Sequence, residues 1–289
     1  MDAASLENRS ILITGATAGI GRVAALELAR MGAQVTIVGR HPQKTLAVAD
    51  EIRGQANNPN VDYLVGDLSV QAEVRRLAAD YRARHNCLHV LINNAGALFM
   101  RRQISADRLE MSLALNHLAY FILTLELLDM LKASAPARIV NVTSSSHRIG
   151  RLSLDDLARE HVYIGLLAYA RSKLMNVVFT YELARRLQGS GVTANCLHPG
   201  LVSSDLGSNN KGLYRPAFGA YHRVAQRPER GAECIVYLAA APELEGVSGR
   251  YYSHKTVVKS SHASYDPAAG QHLWQVSLDL SRLNEHAPS

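Results

Sequence analysis

Ser10-Ile11-Leu12-Ile13-Thr14-Gly15-Ala16-Thr17-Ala18-Gly19-Ile20-Gly21 is the stretch that decides how this chain folds. A short apolar run gives way at once to a glycine-rich turn, and a long helical pattern follows. Strand, glycine turn and helix in that order form a phosphate cradle. Gly15 allows the tight turn, Gly19 the close approach of backbone to a pyrophosphate, and Gly21 the close packing of helix on strand. The helix start contributes unpaired N–H groups and the positive end of its dipole. The spacing is G-x-x-x-G-x-G, which departs from the commoner G-x-G-x-x-G.

Outward from the cradle, the next strand, Gln34-Val35-Thr36-Ile37-Val38-Gly39, ends in Arg40 and His41 instead of an acid. In a dinucleotide-binding unit this strand tip meets the adenosine ribose, where a carboxylate holds a 2′-hydroxyl and an arginine accepts a 2′-phosphate. Arg40, with Arg22 as a second cation, therefore predicts NADP(H) in preference to NAD(H). Strand-like runs near 10, 34, 61, 90, 138, 193 and 249 alternate with helical patterns. The expected fold is α/β: a doubly wound, mostly parallel seven-stranded Rossmann-type sheet with helices on both faces, in a single domain over 1–289.

Tyr169 and Lys173 stand four apart in Ala168-Tyr169-Ala170-Arg171-Ser172-Lys173-Leu174, which puts them on one face of a helix. An ammonium beside a phenol favours the phenolate and brings the tyrosine towards the operating pH, so Tyr169 is a candidate general acid/base. Residues 201–226 follow the sixth strand at the carboxyl end of the sheet, where ligands bind in this architecture. With Leu206, Leu213, Tyr214, Phe218 and Tyr221 the segment reads either as a lid over an apolar substrate or as an oligomer interface, of a homodimer or homotetramer. The tail from Ser253 is less patterned, with a terminal helix expected over Ala268 to Leu283.

From Ser10 to Tyr252 the chain resembles the short-chain dehydrogenase/reductase family. The pieces that carry the resemblance are Thr14 to Gly21, Gly66-Asp67-Leu68, Asn93-Asn94-Ala95-Gly96, Asn116, Asn141-Val142-Thr143-Ser144, Tyr169 with Lys173, and His198-Pro199-Gly200, all in the family's order. The run from Ala168 to Leu174 and the run from Arg186 to Thr193 are most similar to the retinol dehydrogenase and WW-domain oxidoreductase branch. The resemblance implies an NADP(H)-dependent oxidoreductase acting on a lipophilic alcohol, aldehyde or ketone, with Asn116, Ser144, Tyr169 and Lys173 catalytic. It implies that Tyr169 moves the proton, Lys173 lowers the tyrosine pKa and holds the nicotinamide ribose, and Ser144 bonds the substrate oxygen. Asn116, on a helix expected over Leu113 to Leu131, would position a proton-relaying water. For the cofactor it implies Thr17, Ala18 and Ile20 with the cradle glycines, Asp67 and Leu68 beside the adenine, and Asn93, Ala95 and Gly96 after the fourth strand. Pro199, Gly200 and Ser204 would lie at the nicotinamide. Ser144 precedes Tyr169 by 25 positions, a longer gap than is usual in the family, and Ser145 is the alternative hydroxyl.

Composition narrows the remaining classes. The 31 basic and 25 acidic side chains leave a formal charge of +6, scattered and without a stripe of aromatics and cations, so no nucleic-acid partner is expected. Cys87, Cys196 and Cys234 show no metal or disulfide spacing and read as reduced thiols. No His-Glu-x-x-His is present, and His147, His198 and His254 read as loop or surface residues, so no metal is expected. Ser144 lacks the Gly-x-Ser-x-Gly elbow of a serine hydrolase. No run of about 20 apolar residues spans a membrane, and the N-terminus lacks a signal-peptide core, so a cytoplasmic protein is expected. The alternative function is a nucleotide-binding sensor or scaffold of the same fold without turnover.

Overall fold

The computed structural model describes residues 5–152, 163–200, 210 and 227–283. Its strands are β1 (Ser10–Thr14), β2 (Gln34–Gly39), β3 (Val61–Val65), β4 (Val90–Asn93), β5 (Ala137–Val142), β6 (Val192–His198), β7 (Tyr251–Ser253) and β8 (Thr256–Val257). They form one sheet in the order β3-β2-β1-β4-β5-β6-β7-β8. All neighbours are parallel except β7 and β8.

Alternate residues of the central strands feed two cores, which is why those strands are apolar throughout. On one face Leu12, Leu64, Leu91 and Ile139 pack under α3 (Gln71–Arg84), α5 (Ala119–Glu126), α7 (Gly165–Arg186) and α9 (Pro267–Ser281). On the other, Ile11, Ile13, Val35, Ile37, Ile92 and Val140 pack under α1 (Gly19–Arg30), α2 (Pro42–Ala56) and α8 (Pro228–Ala240). Each fully buried Leu or Ile contributes roughly 2 kcal/mol of transfer free energy. The chain leaves β1 in one direction towards β2 and β3 and in the other towards β4. The crevice at this reversal, at the carboxyl ends of the strands, is where the architecture places a ligand.

Three expectations need correction. The described sheet has eight strands instead of seven. The last is joined to β7 by His254 and Lys255, both at positive φ (49° and 63°). Such a two-residue hairpin usually carries Asn-Gly or Asp-Gly, so a His-Lys turn and a two-residue strand left no signal. The helix expected over Leu113 to Leu131 is interrupted. It runs as α4 (Met111–Leu113), a π segment at Ala114–Leu118, then α5, and α6 (Leu128–Ala133). His147, expected in a loop or at the surface, lies in the 3₁₀ turn Ser145–Ile149 and is fully buried.

The terminal helix lies at Pro267–Ser281, capped by Asp266, whose side chain accepts from Ala268 N–H. Ser204 and the segment 201–226, apart from Asn210, lie outside the described residues. Among the described residues no helix is long and apolar enough to cross a membrane, and no cluster of His, Cys, Asp or Glu is placed to hold a metal ion.

Candidate active site

A cavity of about 710 Å³ opens along the carboxyl ends of β1, β2, β4, β5 and β6. At its centre the turn after β1 turns because Gly15 takes φ +66°, and a Cβ there would stand 2.7 Å from Ala95 Cα. Gly21 lets the first turn of α1 close onto that loop, since a Cβ would lie 2.5 Å from the Gly15 carbonyl oxygen. The helix begins with no side-chain cap at Ala18 and no acid in its first turn. Thr17, Ala18, Gly19 and Ile20, at and just before this helix start, line the cavity, an arrangement suited to an anion.

The floor is held by Thr14. Its Oγ1 accepts from the N–H groups of Asn94 (2.9 Å) and Ala95 (3.1 Å). The Asn94 amide donates in return to the carbonyls of Thr14 and Gly15, at 2.8 and 3.1 Å. Asn94, Ala95 and Gly96 line the cavity, whereas Asn93 does not. Asn93 is wholly buried and donates to Thr124 Oγ1 and Asn141 Oδ1, bridging helix α5 and strand β5. The pleat decides this: adjacent residues at a strand end point to opposite sides.

At the β2 end, Arg40, His41 and Lys44 line the cavity together. Arg40 Nε donates to His41 Nε2 at 3.1 Å. Arg22 is instead paired with Glu51 and does not line the cavity. Lys44, which no sequence signal singled out, is brought round to the cavity by the first turn of α2. Asp67 and Leu68 form the adjoining wall. The Asp67 carboxylate caps the turn before α3, accepting from Ser69 N–H and Ser69 Oγ at 2.9 and 2.7 Å.

Ser144, Tyr169 and Lys173 meet at the other end, beside Pro199 and Gly200. Ser144 caps the 3₁₀ turn Ser145–Ile149, its Oγ accepting from Ser146 N–H at 3.2 Å. Capping fixes where the hydroxyl oxygen sits. Lys173 Nζ donates to the Val142 carbonyl at 3.1 Å and lies 5.8 Å from the centroid of the Tyr169 ring and 5.4 Å from that of Tyr120. Among the described residues no carboxylate offsets its burial, which pulls the ammonium down to about 7. Burial acts the opposite way on Tyr120, a neighbour no sequence signal singled out, whose phenol is held well above 10. Leu98, Phe99, Met111, Leu115 and Leu166 form an apolar wall next to this group.

Asn116 is one step behind the cavity surface. Its Oδ1 accepts from Ala97 N–H at 2.9 Å, and its Nδ2 donates to the Ala97 carbonyl at 3.0 Å and to Ser172 Oγ at 3.1 Å. The side chain expected to position a water therefore holds the loop that carries Gly96, where a Cβ would stand 3.1 Å from Lys173 Nζ. The Asn116 carbonyl accepts from Asn176 at 2.8 Å. His117 continues this network: Nδ1 donates to Asn176 Oδ1 at 3.1 Å and Nε2 meets Ser277 Oγ at 3.0 Å.

Burial lowers the His117 pKa to about 4, so the folded state favours neutral imidazole. The stability linked to it is complete above the unfolded value near 6.5 and is lost as pH falls through 4. His117→Gln is expected to shrink the loss of stability between neutral pH and pH 4 by on the order of 3 kcal/mol. Urea titrations of both proteins at pH 7 and pH 4 test this, and equal losses would refute it.

A family model described as short chain dehydrogenase matches residues 9–212. The chain belongs to the short-chain dehydrogenase family. It is 40% identical to retinol dehydrogenase 11 of Homo sapiens over 278 residues, covering 96% of this chain and 87% of that protein. A crystal structure of an uncharacterized protein from Mycobacterium paratuberculosis superposes with TM-score 0.79 at 31% identity, covering 97% of this chain and 96% of that one. The 3-oxoacyl-(acyl-carrier-protein) reductase of Agrobacterium tumefaciens with NADP bound gives TM-score 0.69 at 25% identity, over 86% and 93%. As a short-chain dehydrogenase this protein is an oxidoreductase of CH–OH groups in a family that binds NAD(P)(H).

Proposed function

We propose that this short-chain dehydrogenase interconverts a lipophilic alcohol and its aldehyde or ketone with NADP(H), using Tyr169 as general acid/base. The observation that carries the reading is the buried Lys173 amine on the same cavity wall as Tyr169 and Ser144, with an uncapped helix start along the same cavity. The cofactor, when bound, supplies or accepts the hydride. In the reducing direction the Tyr169 hydroxyl delivers a proton to the carbonyl oxygen, and Ser144 Oγ donates a hydrogen bond to the same oxygen as its negative charge develops. The phenolate left on Tyr169 faces Lys173, and each charge offsets the other's burial. Asn116 supports both by pinning Ala97, and so Gly96, against Lys173.

The residues at the β2 end fit a phosphorylated adenosine ribose: Arg40, His41 and Lys44 and, among the described lining residues, a single carboxylate, Asp67, already bonded to Ser69. Arg40→Ala is expected to weaken NADP(H) about tenfold more than NAD(H), and Lys44→Ala to add to it. Fluorescence titration with both cofactors decides, because an equal loss for both would remove the 2′-phosphate role. The apolar wall at Leu98, Phe99, Met111 and Leu115 favours a lipophilic substrate, as does the similarity to a retinol dehydrogenase. The direct test follows NADPH absorbance with all-trans-retinal and with medium-chain aldehydes. Turnover supports the oxidoreductase; tight NADPH binding with no turnover on any of them would favour the sensor.

A further inference from the structure

Two imidazoles close on the peptide unit that follows Ser144, and the chemistry above uses neither. The Ser144 carbonyl accepts from His147 Nδ1 at 2.7 Å and from the His147 backbone N–H at 3.1 Å. The Ser145 N–H, in the same peptide plane, donates to His198 Nδ1 at 3.1 Å. A backbone amide can only donate, so these contacts define both tautomers. Ser261 N–H donates to His147 Nε2 at 3.0 Å, which leaves the His147 proton on Nδ1, pointing at Ser144. His198 accepts at Nδ1 and carries its proton on Nε2. Burial lowers the pKa of both, that of His198 to about 4, so both rings stay neutral as these bonds require. The neighbouring charged and titratable groups are Arg148, whose guanidinium donates to the Lys259 carbonyl at 2.5 Å, and the exposed imidazole of His254.

We propose that His147 and His198 are positioning residues: they clamp the Ser144–Ser145 peptide from both edges and thereby hold the Ser144 hydroxyl where a substrate oxygen meets it. His147 ties this clamp to the C-terminal segment at Ser261, and His198 ties it to the Pro199-Gly200 wall of the cavity. Rotation of that peptide would turn the cap in which Ser144 Oγ accepts from Ser146 N–H. A misplacement of about 1 Å in such a group costs up to about 10²-fold in rate. The proposal rests on the reading of Ser144 as the hydroxyl that bonds the substrate.

Two amide replacements separate the contacts of His147. In His147→Asn the amide nitrogen reaches the place of Nδ1 and keeps the bond to Ser144, while the tie to Ser261 is lost. In His147→Gln the amide oxygen reaches the place of Nε2 and keeps Ser261, while the bond to Ser144 is lost. Each variant forfeits one hydrogen bond, so a merely structural role predicts similar Tm values and similar activities. The clamp predicts kcat with all-trans-retinal and NADPH within about threefold of wild type for Asn and lower by about tenfold or more for Gln, with NADPH Kd unchanged in both.

His198→Asn, which keeps an acceptor for Ser145, against His198→Leu, which does not, repeats the test from the other edge should a His147 variant fail to fold. Loss of kcat in Leu with retention in Asn is expected. Gln and Asn variants with equal kcat, or a fully active His198→Leu, would overturn the clamp. Ser144→Ala run alongside locates any failure. An inactive Ser144→Ala beside a fully active His147→Gln removes the clamp alone, whereas a fully active Ser144→Ala removes the serine's role and the clamp with it.

Discussion

Tyr169→Phe is expected to lower kcat for carbonyl reduction by about 10²-fold or more and to leave NADPH affinity nearly unchanged. The substitution removes one oxygen and its proton and nothing else. The ring is 5% exposed, on a helix whose neighbouring positions are buried almost without interruption, so Phe occupies the same space. Lys173 also keeps its bond to the Val142 carbonyl, which does not involve the phenol. Loss of rate with retained cofactor binding would identify the hydroxyl as the group that transfers the proton. Activity equal to wild type would move that role to another donor and end the proposed mechanism.

Lys173→Met is expected to move activity and stability in opposite directions. Activity should fall by about 10²-fold or more, because a phenolate at Tyr169 loses the charge that favours it. Stability at neutral pH should rise, because the wild-type fold buries an ammonium whose pKa drops from 10.5 to about 7. The sign follows from linkage. Between those two values the unfolded chain binds more protons than the folded one, so wild-type stability climbs as pH rises from 7 to 10.5, with a slope of up to about 1.4 kcal/mol per pH unit. Below pH 7 both states are protonated and the cost of burial is present in full. The methionine variant lacks this slope. Chemical denaturation from pH 6 to 10 without cofactor reads it directly, and parallel curves for the two proteins would show that the amine is not desolvated as the geometry implies.

The strand, glycine turn and helix start after β1 were legible because their determinants are local. An apolar run, a Gly15 that must take positive φ and a helix start without a cap are all written within twelve residues. Tyr169 and Lys173 were legible for a similar reason, since a spacing of four on a helix fixes a shared face wherever the helix lies. Asn93 and Asn94 were not separable, because pleat phase decides which of two adjacent amides enters the core and periodicity does not report phase. Arg22 and Lys44 are both cations near the second strand. Glu51, 29 residues from Arg22 in sequence, takes the first, and the start of α2 delivers the second to the cavity. Asn116 reads as a polar residue in an apolar helix, but the π segment at Ala114–Leu118 and the reach of its amide to Ala97 depend on a loop 19 residues away.

By itself the sequence determined the doubly wound α/β class, the positions of seven parallel strands, the family, and the tyrosine–lysine pair. The class, the strands and the pair rest on periodicity, on glycine stereochemistry and on fixed helical spacing, which act over a few residues, and the family rests on the resemblance of an ordered set of short motifs. Only the tertiary structure decided which residues share the cavity, that His147 and His198 bracket one peptide bond, that Lys173 is desolvated, and that an eighth strand closes the sheet antiparallel. Those outcomes depend on partners brought from distant elements. Ser261 reaches His147 across 114 positions and Val142 reaches Lys173 across 31, and burial, which sets the charge of both side chains, exists only once the two cores have closed.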